Sequence, residues 1–333
     1  MNQSEKNKTA TVMAVHRERY ELWTGEQTIY GRLKAANYYN AKEILTYPTA
    51  GDEVEIAYNE AGDSLITQVL PRKSVFLRLN ATQGLPDQAV AANFDYVFIT
   101  MSLNRDFNIS KLERYLTVAW QSGGEPVVLL TKADLCENAE EYVVQVRRTA
   151  PGVKVYCISS VTGQGLCDLE EYLQEGKTIA LLGSSGVGKS SLLNAFMGGE
   201  EMLTGGIREA DAQGRHTTTY RQCMFLPEQI KLPDGTVISG GGRIIDTPGM
   251  RKLIVADVDS GIQTSFEDIE TLAAGCRFRD CQHKKEPGCA VLAALADGSL
   301  SEKRWKNYLD LQREEAFAKE REKIILKKKN RRR

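Results

Sequence analysis

Apolar and polar positions alternate in short runs from residue 11 to about residue 70. Tyr20 and Leu22 alternate with Glu21 and Trp23, and a turn signal at Gly25-Glu26 separates them from a second run over 28–33. Gly51-Asp52 precedes a run over 54–58, and Glu60-Ala61-Gly62-Asp63 precedes one over 65–70. A period of two, bounded by Gly and Asp, marks half-buried strands joined by turns. Five strands in about 60 residues predict a small barrel of the OB type, a common oligonucleotide platform. An SH3-like barrel has the same pattern.

The rhythm changes beyond Pro71-Arg72-Lys73. Apolar runs over 94–101, 126–131, 153–158 and 178–182 alternate with helical stretches. Leu112, Tyr115, Leu116 and Ala119 share one helical face, and Ser110 with Glu113 predicts a capping box at its start. Strand–helix alternation implies a mostly parallel sheet covered on both faces. After about residue 255 the strand signal fades. A long charged helix is predicted from about Ser301, with Trp305, Tyr308 and Leu309 as its apolar stripe and its Lys, Arg and Glu as a solvated face. The expected organisation is a barrel over 1–71, an α/β domain over 72–255 and a C-terminal region over 256–333.

Composition narrows the class. With 333 residues, two or three domains are expected. The chain is 42% apolar and 26% charged, as in an ordinary globular protein. No apolar run approaches the roughly 18–20 residues needed to span a bilayer, so a cytoplasmic protein with no membrane partner is expected. Of seven cysteines, Cys136, Cys157, Cys167 and Cys223 are scattered, and the other three fall between 276 and 289. That pattern argues for reduced thiols and one local site rather than a disulfide framework. The net charge of −1 averages over uneven regions. The tail Lys327-Lys328-Lys329-Asn330-Arg331-Arg332-Arg333 is densely basic, which suits either a solvated end or contact with nucleic-acid phosphates.

The chemistry begins at Gly183-Ser184-Ser185-Gly186-Val187-Gly188-Lys189-Ser190, with Ser191 behind it. This phosphate-binding loop follows a strand and opens a helix, the context the motif requires. Its glycines let backbone N–H groups point at phosphate oxygens, and the helix dipole adds positive potential. Lys189 would reach the terminal phosphates and Ser190 would offer its hydroxyl to Mg²⁺. Thr131-Lys132-Ala133-Asp134, at the end of an apolar strand, resembles the N/T-K-x-D motif that reads guanine. An Asp carboxylate accepts from guanine N1–H and the 2-amino group, a donor pair adenine lacks. Lys132 can lay its stem over the base, and Thr131 stands where Asn is commoner. Ser159-Ser160 resembles the loop whose backbone touches the guanine O6.

Asp246-Thr247-Pro248-Gly249 closes another strand. Asp246 can hold Mg²⁺ through water, and the Gly249 N–H can sense a γ-phosphate. Between these motifs lies Gly214-Arg215-His216-Thr217-Thr218-Thr219, where a Thr is expected to ligate Mg²⁺ with GTP bound, as in a nucleotide switch. Met250 follows the second motif, where many GTPases carry a water-orienting Gln. Cys276-x₄-Cys281-x-His283-x₅-Cys289 supplies the Cys₃His set of a closed structural Zn²⁺ site, expected to substitute for a hydrophobic core in a short segment.

The guanine motif precedes the phosphate loop, the reverse of most GTPases. With the barrel, the G-x-H-T-T segment and the Cys/His cluster, the chain resembles the circularly permuted ribosome small-subunit-dependent GTPases (RsgA). The resemblance covers roughly residues 11 to 300. It implies a monomeric GTP hydrolase that acts in late maturation of the small ribosomal subunit, binds its rRNA and is stimulated by it. It also implies that His216 positions the attacking water and favours Thr218 as the Mg²⁺ ligand. Two other readings remain at this point. One is a GTP-dependent RNA-binding module whose hydrolysis is incidental, and the other a P-loop ATPase or kinase misread through Thr131.

Overall fold

The computed structural model describes residues 7–16, 19–33, 47–78, 88–104, 107–198, 222–247 and 259–330. Five strands form the N-terminal barrel: β1 (Asn7–Val15), β2 (Tyr20–Trp23), β3 (Thr28–Leu33), β4 (Glu53–Ala57) and β5 (Ser64–Val69). They run in the order β1-β2-β3-β5-β4, and β4 pairs back onto β1 to close the barrel. β3 and β5 are parallel and the other pairings antiparallel, which is OB-type topology. Val12, Leu22, Val54, Ile56 and Ile66 fill the interior.

A hairpin of β6 (Val75–Arg78) and β7 (Gln88–Ala92) follows; sequence periodicity did not reveal it. The strands β8 (Tyr96–Ser102), β9 (Glu125–Thr131), β10 (Lys154–Ile158), β11 (Thr178–Leu182) and β15 (Arg243–Asp246) form a parallel sheet ordered β10-β9-β8-β11-β15. The antiparallel strand β12 (Gln222–Phe225) extends it, and β13 (Gln229–Lys231) and β14 (Val237–Ser239) form a separate hairpin. β12 also pairs with β1, at Ala14 opposite Gln222, so barrel and domain share one 11-stranded sheet.

Two cores lie on the two faces of this sheet, and the strand period sorts side chains between them. Val97, Ile99, Val128, Leu130, Ala180 and Leu182 face one core. Phe98, Val127, Leu129, Ile179 and Leu181 face the other, against α3 (Lys189–Met197). Helices α1 (Ile109–Ser122) and α2 (Ala139–Thr149) cover the first face. The C-terminal helices α4 (Asp259–Ser265), α5 (Glu267–Ala274), α6 (Ala290–Asp297) and α7 (Glu302–Asn330) add to it.

Two expectations need correction. The cap of α1 is Asn108, whose side chain accepts from the Ser110 and Lys111 N–H groups. Ser110 already lies inside the helix, and Glu113 is buried against α7 instead of reaching back to a cap. The polar face of α7 is not wholly solvated, because Arg304 and Asn307 meet that glutamate. The C-terminal helices share the main core, while 276–288 bury no side chain of their own. Val291, Ala294, Leu300, Tyr308 and Leu311 are buried in the same core as the sheet, which supplies apolar area the segment lacks alone.

Candidate nucleotide site and metal cluster

The strands β8, β9, β10, β11 and β15 all end at one edge of the parallel sheet, the edge where α/β sheets bind ligands. The phosphate loop leaves β11 there. A Cβ on Gly183 would lie 2.3 Å from Thr100 Oγ1, so only glycine lets the loop pass β8. Gly186 and Gly188 take φ of 81° and 100°, and Gly188 caps α3 in this left-handed conformation. Lys189 Nζ donates to the Gly183 and Ser184 carbonyls, both at 2.8 Å, which folds the side chain over the loop. Val187 is buried, Ser185 and Ser190 are exposed, and Ser191 is exposed at the start of α3.

The guanine-type motif is bonded directly to this loop. Thr131 Oγ1 donates to the Val187 carbonyl at 2.5 Å, and Lys132 Nζ donates to the Gly186 carbonyl at 3.1 Å. Thr131 is buried, 2% exposed, and is therefore a brace for the loop, not a group facing a base. Lys132 takes φ of 62°, which turns the chain so that Asp134 sits in a short helical turn with its carboxylate exposed. Ala133 beside it is buried. One strand over, the buried Ser159 hydroxyl accepts from the Val161 and Thr162 N–H groups and fixes the turn that carries Ser160. Register places Ile158 opposite Thr131, so the two loops emerge side by side.

Asp246 ends β15 near Lys189. Burial pushes the Asp246 carboxyl above its ordinary value, with Lys189 opposing. Burial likewise lowers the Lys189 ammonium, with Asp246 opposing. Each charge is thus under-compensated where it stands, which suits a site that receives a phosphate beside Lys189 and a hard cation beside Asp246. Thr247 Oγ1 donates to the Leu181 carbonyl at 2.5 Å and ties β15 to β11. His216, Thr218 and Gly249, with Thr217, Thr219 and Met250, lie outside the described residues. One contact was absent from the sequence reading: the Tyr115 and Ser184 hydroxyls are 3.0 Å apart, either one donating. Its only sequence signal was a polar hydroxyl on the apolar face of α1.

The four predicted metal ligands converge. The ligand atoms of Cys276, Cys281, His283 and Cys289 all lie within 4.8 Å of one another. His283 Nδ1 is 3.3 Å from Cys289 Sγ and 3.6 Å from Cys276 Sγ. Cys289 caps α6 and accepts from the Leu292 N–H at 3.4 Å. Burial pushes the Cys281 thiol up to about 11, and the neighbouring thiols add to that shift. Burial also opposes ionisation of Cys276, but the Val291 and Ala290 N–H groups overcome it and hold this thiol below its ordinary value. The Cys276 thiolate is therefore favoured and that of Cys281 resisted. A compact Cys₃His set of this kind is consistent with tetrahedral zinc. Trp305 packs edge-on to His283, with ring centres 5.6 Å apart, and links the cluster to α7.

Comparison with known proteins finds relatives over most of the chain. The family model described as RsgA GTPase matches residues 69–256. A Listeria monocytogenes protein named small ribosomal subunit biogenesis GTPase RsgA 1 is 46% identical over 306 residues, covering 92% of this chain and 83% of its own. A Vibrio parahaemolyticus relative, RsgA 2 of the same description, is 42% identical over 308 residues, covering 92% of this chain and 79% of its own. The crystal structure of YjeQ from Thermotoga maritima superposes with a TM-score of 0.63 at 26% identity, covering 92% of this chain and 97% of that one. YloQ, a circularly permuted GTPase, superposes at 0.59 with 22% identity, covering 96% and 98%, and shares the fold. No helix among the described residues is long and apolar enough to cross a membrane.

Proposed function

The chain belongs to the RsgA GTPase family, and from that premise we propose that it hydrolyses GTP while bound to the small ribosomal subunit, assisting late maturation of that subunit and leaving it after hydrolysis. The observation that carries the guanine-nucleotide half of this proposal is the bond from Thr131 to the Val187 carbonyl. It makes the base-reading loop and the phosphate loop one braced unit, despite their reversed order in the chain. The ribosomal half rests on the named relatives and on their coverage of most of the chain.

In this account the N–H groups of the phosphate loop hold the phosphates, Lys189 neutralises charge on the terminal one, and Asp134 and Ser159-Ser160 select guanine. Ser190, Asp246 and Thr218 supply hard oxygen donors for Mg²⁺, which contributes Lewis-acid charge when bound. His216 orients the attacking water and the Gly249 N–H senses the γ-phosphate. Cys276, Cys281, His283 and Cys289 would hold Zn²⁺, which would serve as a structural ion and supply no catalysis. The OB-type barrel is the natural RNA platform. Arg277, Arg279, Lys284 and Lys285, all exposed around the metal cluster, add cations facing rRNA phosphates. The chain then divides into a barrel over 1–71, a GTPase unit over 72–255 and a zinc-binding region over 256–333. It works as a cytoplasmic monomer.

Competition binding tests nucleotide identity. Unlabelled GTP should displace a fluorescent guanine nucleotide at least about 10-fold more effectively than ATP, the scale of lost hydrogen bonds to a charged group. Asp134→Ala should erase that preference. Equal displacement by ATP and GTP in the unmodified protein would refute the guanine assignment.

A further inference from the structure

Helix α1 bears contacts on opposite sides that its hydrophobic pattern does not announce. On one side Glu113 is 2% exposed and accepts from Arg304 Nη1 at 2.6 Å and from Asn307, both on α7. The same guanidinium donates to Asp268 at 2.7 and 2.8 Å and to the Ser265 carbonyl at 3.0 Å, and it lies 4.8 Å over the Phe266 ring. One cation therefore ties α7, α5 and the end of α4 to α1. Two residues beyond Glu113, about 200° around the helix, Tyr115 meets Ser184 of the phosphate loop at 3.0 Å.

A third contact presses from α4. A Cβ on Gly261 would lie 2.2 Å from Gln121 Cγ and 2.7 Å from the Thr117 carbonyl, so α4 is seated directly on α1. A buried ion pair of this kind adds little net stability over an apolar substitute, but leaving one partner alone is strongly unfavourable. Its consequence is therefore geometric: Glu113 requires α7 in one position. Helix α1 is capped at both ends, by Asn108 and by Gly123 at φ 83°, and packs on β8 and β9. A displacement at Glu113 is thus passed along a stiff element to Tyr115.

We infer that Tyr115 is a positioning residue for the phosphate loop, and that the seating of α7 on Glu113 sets where Tyr115 stands, so that guanine-nucleotide affinity is coupled to the docking of the C-terminal helix. The inference rests on the GTPase reading. It adds a route by which a grip on the C-terminal region is felt at the phosphates.

The test measures equilibrium binding of fluorescent GDP to the full-length, zinc-loaded protein. Tyr115→Phe should weaken binding by about 2- to 10-fold, the scale of one hydrogen bond, and should raise KM more than it lowers kcat. The melting temperature of the nucleotide-free variant should stay at the parent value. Arg304→Lys, which keeps the charge but loses the fork, should weaken binding in the same direction and add little in the Tyr115→Phe background. Glu113→Gln serves if Arg304→Lys does not fold. Unchanged GDP affinity in Tyr115→Phe, or effects of the two changes that simply multiply, would overturn the inference. So would a drop in melting temperature that parallels the loss of affinity. If the unmodified protein bound no guanine nucleotide, the functional reading itself would fall, a result distinct from these.

Discussion

Thr131 and Asp134 are three residues apart and do different work. Asp134 presents an exposed carboxylate, whereas Thr131 is buried with its hydroxyl on the Val187 carbonyl. Replacing Asn by Thr at this motif position therefore bears on the loop, not on a contact with the base. Thr131→Val keeps the shape and removes the donor, leaving a buried carbonyl unpaired. GDP affinity should fall by about 5- to 100-fold, the range for an unsatisfied buried group, while the ratio of GTP to ATP binding stays as it was. Competition binding reads both. A changed ratio at constant GDP affinity would contradict the bracing role. The motif was legible because its spacing is local. The brace was not, because its partner lies 56 residues away. Glu113 was misread for the same reason: its spacing from Ser110 fits a capping box, and the arginine it meets is 191 residues on.

Among elements, the barrel strands were legible from their alternation and the central strands of the parallel sheet from their apolar runs. β8, β9 and β11 are long apolar runs with turn signals around them. The hairpins β6–β7 and β13–β14 have only three to five residues per strand, too few for alternation to stand out. The Cys/His spacing was legible, because four ligands in a short segment need little help from the rest of the chain. Its setting was not, since α6 and α7 complete the main core. Chelation of the metal, or Cys281→Ser, should loosen 276–289 and fray α6 from the end that Cys289 caps, while the sheet and the side chains buried in its core stay in place. Helical ellipticity should fall, and GDP binding should weaken by no more than about 10-fold, the limit of one lost hydrogen bond. An unchanged helical signal after verified metal removal would argue against a structural ion. Acid should loosen the same seating. Burial tends to raise the Asp268 carboxyl, but Arg304 overrides this and holds it below its ordinary value. A depressed carboxylate stabilises the fold above its unfolded value and loses that contribution as pH falls through the folded one. Melting temperature should therefore drop more steeply below about pH 4 in the parent protein than in Asp268→Asn. Parallel curves would contradict this.

At the scale of the whole molecule, the barrel is continuous with the GTPase sheet. β1 pairs with β12 at Ala14 and Gln222, and Gln222 in turn lies opposite Asp246 on β15. Arg72, at the expected boundary, turns back to bond buried Asp52 at 2.6 Å through two nitrogens. The change of rhythm near residue 71 therefore falls within continuous β-structure, between β5 and the β6–β7 hairpin, with Arg72 bonded back to the barrel. Barrel, sheet edge and C-terminal helices all meet the nucleotide site through short chains of contacts, which fits an enzyme whose turnover answers to a partner. The central claim is that the partner is the small ribosomal subunit. The most direct measurement is GTP turnover by the purified full-length protein with and without purified small subunits, at fixed salt, with large subunits as the control. Turnover should be slow alone, rise at least about 10-fold with small subunits, as a poorly preorganised switch does when a partner docks, and stay low with large ones. Turnover that is the same in all three conditions would contradict the account.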